Sequence, residues 1–152
     1  MNYIFIVNHV MFNEEIVPGG EIAKKLFDKK MWLFSYSTPN IKKIKPGDNV
    51  LLYIAGYNNK FFGANFKIDG QITEHDLKSQ NKFESYFYNI FPLGCKITNI
   101  NIWDNLLSIY DVKEELEFIK DKKNWGLFFR QATKVINDND YKLIMQERAK
   151  QK

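Results

Sequence analysis

The run Tyr3-Ile4-Phe5-Ile6-Val7 is β-branched or aromatic throughout and gives way to Asn8 and His9, a pattern that predicts a buried strand. Pro18-Gly19-Gly20 breaks the chain. Beyond it Ile22, Leu26 and Phe27 share one side of a helix whose other side carries Lys24, Lys25 and Asp28. Residues 32–40 show no clear period and contain Ser35, Ser37, Thr38 and Pro39, so they read as a loop or a ragged strand. Lys45-Pro46-Gly47-Asp48 predicts a type II turn, with Pro presetting φ at the first central position and Gly accepting positive φ at the second. A strong strand is expected over residues 49–55.

The second half is less regular. Gly56, Asn58, Asn59 and Gly63 place residues 57–66 in a long aromatic-bearing loop. Residues 67–74 pattern as a strand, although Asp69-Gly70 in its middle is also a hairpin signal. The preferred reading is one strand with Gly70 at a bulge or a close backbone approach. Residues 75–91 run from polar to aromatic with weak periodicity. Residues 93–103 read as a strand, with Cys95 and Ile97 on one face before the alternation slips. Val112, Leu116 and Ile119 recur at helical spacing, with Lys113, Glu114, Glu115 and Glu117 on the remaining faces. The predicted helix ends at residues 120–123, where lysines suit its C-terminal dipole. Asn137-Asp138-Asn139-Asp140 reads as an N-cap with an acidic first turn. It opens a last helix with Tyr141, Ile144 and Met145 inward, fraying from Arg148.

Composition adds bounds. A chain of 152 residues suits one domain with one sizeable core, placed at residues 1–146 with a frayed tail at 147–152. Its aromatic share of 16% is high, so some rings are expected to line a surface or pocket. The net charge of +4 fits weak attraction to phosphates, not tight binding by charge alone. Cys95 is the only cysteine, which leaves no intramolecular disulfide and no thiolate metal cluster and points to a cytoplasmic protein. No basic start precedes residues 3–7, so that run reads as a strand and not a signal peptide. No apolar run reaches membrane-span length, so no membrane partner is expected.

Catalytic signals are missing. His9 and His75 stand far apart without zinc-site spacing, and neither a phosphate-binding Gly-rich loop nor a nucleophile elbow is present. Cys95 lies in a strand without a basic partner to activate it, and the adjacent pairs Glu14-Glu15 and Glu114-Glu115 each point two ways. No metal, no cofactor and no enzymatic activity are expected. What stands out is a pair of tryptophan segments, each beside a lysine run: Trp32 before Lys42, Lys43 and Lys45, and Trp125 after Lys120, Lys122 and Lys123. A rigid aromatic plane flanked by cations suits a nucleobase on its phosphodiester chain. A purely structural role, with both tryptophans in the core and the lysines solvated, fits the same pattern.

These segments resemble the EVE domain, a PUA-like family related to the YTH domain. The resemblance rests on the opening strand with its terminal Asn8, on Trp32, on Lys45-Pro46-Gly47-Asp48 followed by a strand ending in Tyr53, and on Phe91-Pro92-Leu93. Its most specific part is residues 118–129 followed by Asp140-Tyr141-Lys142-Leu143-Ile144. It implies an α+β fold, a mixed, mostly antiparallel β-barrel flanked by helices. It also places Gly70 at an in-strand glycine, in favour of a single strand there. The resemblance further implies a pocket between the two tryptophan segments that takes up a modified base. Trp32 and Trp125 would supply its faces, with Asn8, Leu33, Phe34, Ser35, Tyr53, Gly126 and Leu127 around it. Lys42, Lys43, Lys120, Lys122 and Lys123 would hold phosphates. The chain departs from the family at Leu33-Phe34-Ser35-Tyr36, at Gly94 and at Gly126, which removes polar positions suited to a base edge or a phosphate. The expected partner is DNA or RNA carrying a modified base. An accessory or enzyme of RNA modification, and a small-molecule or protein-interaction module, are the alternatives.

Overall fold

The computed structural model describes residues 1–56 and 58–150. In chain order the elements are β1 (Asn2–Val7), β2 (Val10–Phe12), β3 (Glu15–Val17), α1 (Gly19–Lys29), β4 (Met31–Phe34) and β5 (Asn49–Ile54). There follow β6 (Phe61–Ile68), β7 (Thr73–Glu74), α2 (Lys82–Ile90), β8 (Leu93–Ser108), β9 (Thr133–Ile136) and α3 (Asp138–Lys150). Short 3₁₀ turns occupy Ile109–Asp111 and Trp125–Phe129.

One sheet organises the molecule, in the order β4-β8-β6-β5-β1-β9 with β7 also on β8. Among the described residues only the β1–β5 pair is parallel. β8 is long enough to change partners: Leu93 to Lys96 pair with β4, and Ile97 onward pairs with β6. The β6–β8 register shifts between Phe62 and Ala64 and again between Asn65 and Lys67. Such irregularities bend a strand and add twist. The result is a curled half-barrel of mostly antiparallel strands with three helices, an α+β fold as expected.

The central strands are buried on both faces, which explains their unbroken apolar sequence. Tyr3, Phe5, Val50, Leu52 and Phe66 point into a core closed by α1 and α2. The alternate residues Ile4, Leu51, Tyr53, Phe62 and Leu107 point into a second core, closed by α3 and residues 109–129. In the first, Trp32 lies 6.0, 5.9 and 5.5 Å, centroid to centroid, from Phe5, Phe27 and Phe66. In the second, Tyr53 stacks on Phe129 at 4.2 Å. No helix among the described residues is long and apolar enough to cross a membrane.

Several local expectations hold and several do not. Gly47 takes φ of 94° and Asp48 N–H donates to the Lys45 carbonyl at 3.2 Å, as a type II turn requires. Residues 31–34 form a regular strand, not a loop, because β8 supplies the pairing partner. The long loop expected at residues 57–66 is instead strand β6 from Phe61 onward, and Tyr57 lies outside the described residues. The single strand expected at residues 67–74 is overturned. β6 stops at Ile68, the chain bends at Gly70 with Asp69 N–H donating to Lys96 O, and Thr73–Glu74 is a separate strand. Residues 112–119 are turns, not a helix, although Val112, Leu116 and Ile119 are all buried. The backbone donors of Glu117 and Phe118 go to the Asp140 carboxylate at 2.7 and 2.9 Å, not to helical carbonyls. α3 begins as expected, Asn137 Oδ1 accepting from Asp140 N–H at 2.8 Å, and continues through Arg148 to Lys150.

Burial of acids in two cores sets the alkaline limit of stability. Burial pushes the Cys95 thiol up to about 12 from 9.0 and also raises Tyr53, Tyr3 and Tyr141. Each group then holds its proton more tightly folded than unfolded. The associated stability is complete below the unfolded value and is lost as pH rises toward the folded one. Urea unfolding midpoints are expected to be level near neutrality and to fall steadily as pH rises above about 9. A midpoint that stays constant through that window would contradict the assignment.

Candidate functional site

The pocket begins where β1 ends. Its last residues and Asn8, His9 and Val10 run beside β4, and α1 begins at their flank. That approach requires glycine: a Cβ on Gly19 would stand 2.9 Å from the Val7 carbonyl oxygen. Between these elements lies a cavity of about 260 Å³, just below the size range of most small-ligand sites. Its apolar wall comes from Ile22 and Leu26 of α1, from Trp32, Leu33 and Phe34 of β4, and from Phe87 and Phe91 at the end of α2. The segment from Phe129 to Thr133 closes the other side.

The polar atoms gather toward the mouth. Asn8 and Arg130 are exposed there, with His9 half-buried beside them. Asn8 Oδ1 accepts from His9 N–H at 2.8 Å, which fixes the carboxamide. Thr38 Oγ1 accepts from Ser35 N–H at 3.0 Å, and Thr133 hydroxyl donates to the Pro39 carbonyl while accepting from Asn40 Nδ2. These bonds tie the 35–40 turn to β9 across the cavity. The Ala132 carbonyl accepts from Ile6 N–H at 2.8 Å and holds the 129–133 segment against β1. The lining has no carboxylate among the described residues, so the mouth is cationic through Arg130. The Trp103 indole N–H, by contrast, lies outside the cavity and donates to Asn65 Oδ1 at 2.8 Å. The arrangement can hold a flat apolar group by its faces and present donors to its edge. The β2–β3 hairpin closes over the flank, Phe12 packing 5.6 Å from Phe83 and 5.2 Å from Tyr86 of α2.

Of the residues the sequence singled out, the structure brings Asn8, Trp32, Leu33 and Phe34 to this cavity. Ser35 stands behind Thr38 and does not line it. Four others lie elsewhere, on or beside the second core. Tyr53 is buried in the second core. Trp125 packs against that core, edge-on to Tyr110 at 5.5 Å and to Phe129 at 6.0 Å. Gly126 and Leu127 are exposed on the same 3₁₀ turn. The shared pocket of Trp32 and Trp125 is thus corrected: of the two indoles the first lines the cavity and the second does not, Phe129 and Arg130 lining it from that segment instead. Among the lysines, Lys42, Lys43 and Lys123 are exposed, and Lys120 lines a separate open cleft. Lys122 folds back and donates to the Leu116 carbonyl, so its ammonium is committed inside the loop.

Phe87, Phe91, Arg130 and Gln131 were not singled out by sequence reasoning. The signal for the last two was present, a polar pair directly after Phe128-Phe129. For the two phenylalanines the weak periodicity of residues 75–91 hid the helix that delivers them.

Comparison with known proteins places this architecture. The chain is 29% identical over 127 residues to a UPF0310 protein of Pyrococcus abyssi, an alignment spanning 80% of this chain and 88% of that one. In three dimensions it is similar to the human THYN1 protein in complex with 5-methylcytosine-containing DNA, with a TM-score of 0.65, 12% identity and 99% of each chain covered. It is also similar to the YTH domain of Zygosaccharomyces rouxii MRB1 in complex with N6-methyladenosine RNA, with a TM-score of 0.60 and 14% identity over 97% of this chain and 86% of that one. The EVE domain profile matches residues 28–147, from the end of α1 through most of α3, and the chain therefore belongs to the EVE domain family.

Proposed function

We propose that this chain is a non-catalytic nucleic-acid-binding domain that takes a modified base, for example a methylated one, into the cavity at the end of β1. The observation that carries the reading is the cavity itself: an aromatic wall of Trp32, Phe34, Phe87 and Phe91 beneath a mouth bearing Asn8 and Arg130. Aromatic planes grip a base through its faces and tolerate its identity, while a methyl group adds apolar area that the wall buries. Burial of one methyl contributes about 0.8 kcal/mol, a preference of about fourfold before any shape effect. The complexes of similarly folded proteins with methylated DNA and RNA support the same class of ligand. Asn8 and the backbone of Leu33 and Phe34 would read the polar edge, Arg130 the adjacent phosphate.

The test is a binding panel of single strands, DNA and RNA, with and without 5-methylcytosine or N6-methyladenine. The expected result is salt-dependent binding, tighter by about fourfold or more for one methylated strand. Equal affinity for every strand at every salt concentration, or no binding of any, would overturn the reading. Uptake of an unrelated small molecule without strand binding would favour the small-molecule alternative.

A further inference from the structure

Across β9 from the cavity lies a second concavity, an open cleft of about 340 Å³. It is lined by Phe118 and Phe128, by Lys120 and Lys134, and by Glu117 and Asn137. The Lys134 ammonium stands 5.6 Å from the centre of the half-exposed Phe128 ring. The cleft's carboxylate is engaged, since Asn137 Nδ2 donates to Glu117 Oε2 at 2.6 Å. Neither lysine belongs to an ion pair among the described residues. A half-exposed aromatic ring and two cations outside any ion pair, Lys134 lying over that ring, therefore share one hollow.

The placement is what joins it to the cavity. Residues 129–133 line the cavity, and their immediate neighbours, Phe128 and Lys134, line the cleft. Thr133 and Lys134 are consecutive on β9 and so project to opposite faces of the sheet. β9 is the last strand of the sheet, pairing with β1 on one side only. A chain leaving the cavity mouth at Arg130 has one thin edge to cross before it meets Lys134.

We propose that this cleft is a second subsite of the same nucleic-acid interface. It holds a nucleotide neighbouring the one in the cavity, with the base against Phe128 and a phosphate between Lys120 and Lys134. The proposal rests on the cavity reading given above, and its test separates the two. Binding of a free methylated nucleoside and of a short single strand carrying the same base is measured for the wild type, Phe128→Ala and the double variant Lys120→Ala/Lys134→Ala, each checked for folding by thermal melting. Phe128→Ala is expected to weaken strand binding about tenfold. The double variant is expected to lower the salt slope of strand binding by about 0.7, the release from the one single-strand phosphate held between the two lysines. Nucleoside binding is expected to stay at the wild-type level in both. Strand binding unchanged in both variants overturns the subsite, as does equal loss of nucleoside and strand, which marks a structural role. If Phe128→Ala fails to fold, the lysine variant decides alone. Wild-type chain that binds neither probe overturns the cavity reading, and this inference with it.

Discussion

Trp32→Leu is expected to abolish the preference for a methylated strand, whereas Trp125→Ala is expected to keep it. The two indoles stand on different cores, so the comparison isolates the cavity. Trp32 is 6% exposed, lines the pocket and packs on Phe5, Phe27 and Phe66. Leu at this position retains an apolar side chain for the core but removes the plane against which a base stacks. Stacking on such a plane is worth about 1–3 kcal/mol, so affinity should fall about tenfold or more at every salt concentration. Trp125 touches Tyr110 and Phe129 and does not reach the lining, so its removal should lower the melting temperature and leave methyl discrimination intact. Melting curves must accompany both titrations, because truncating a buried Trp costs about 3–5 kcal/mol, a large part of a domain's margin. A folded Trp32→Leu chain that still discriminates by the wild-type ratio would show that the base binds elsewhere. Loss of discrimination in a folded Trp125→Ala chain would restore the shared pocket.

Legibility in the sequence followed the range of the forces involved. β1, α1, the Lys45–Asp48 turn, β5 and the start of α3 were readable because local pattern and turn chemistry decide them. β4 was ambiguous because four residues between a helix end and a polar turn carry no period, and β8 far along the chain settles it. Residues 61–66 read as loop because Gly56, Asn58, Asn59 and Gly63 cluster around them, yet Gly63 sits where the β6–β8 register shifts. At the site, Asn8 and Trp32 to Phe34 were identifiable as the ends of strands bearing a suitable plane. Trp125 was misplaced because residues 109–129 hold only two short 3₁₀ turns joined by irregular chain, which give no direction that the sequence pattern could reveal. Arg130 needed the fold, since the pairing of β9 with β1, continued by the bond from Ile6 N–H to the Ala132 carbonyl, brings its segment to the mouth.

Asp140→Ala is expected to cost about 3 kcal/mol or more of stability, an effect out of proportion to one carboxylate at the start of a helix. Asp140 is 1% exposed and sits in the first turn of α3, where an anion suits the helix dipole by itself for at most about 1 kcal/mol when exposed. The larger part lies across the chain. Its two oxygens accept the Glu117 and Phe118 N–H groups at 2.7 and 2.9 Å, the bonds that hold residues 112–119 in turns over the second core. Truncation leaves both donors without an acceptor, at about 1–3 kcal/mol each when buried. Asp140→Asn keeps one acceptor oxygen and should lose about half as much. Urea unfolding would measure the difference, and amide exchange at residues 117 and 118 should accelerate well before the central strands do. Glu117 and Phe118 also line the cleft beside β9, so the Ala variant should weaken strand binding more than nucleoside binding. If Asp140→Ala unfolds within about 1 kcal/mol of the wild type, the turns are held by the burial of Val112, Leu116 and Ile119 alone, and the carboxylate is incidental.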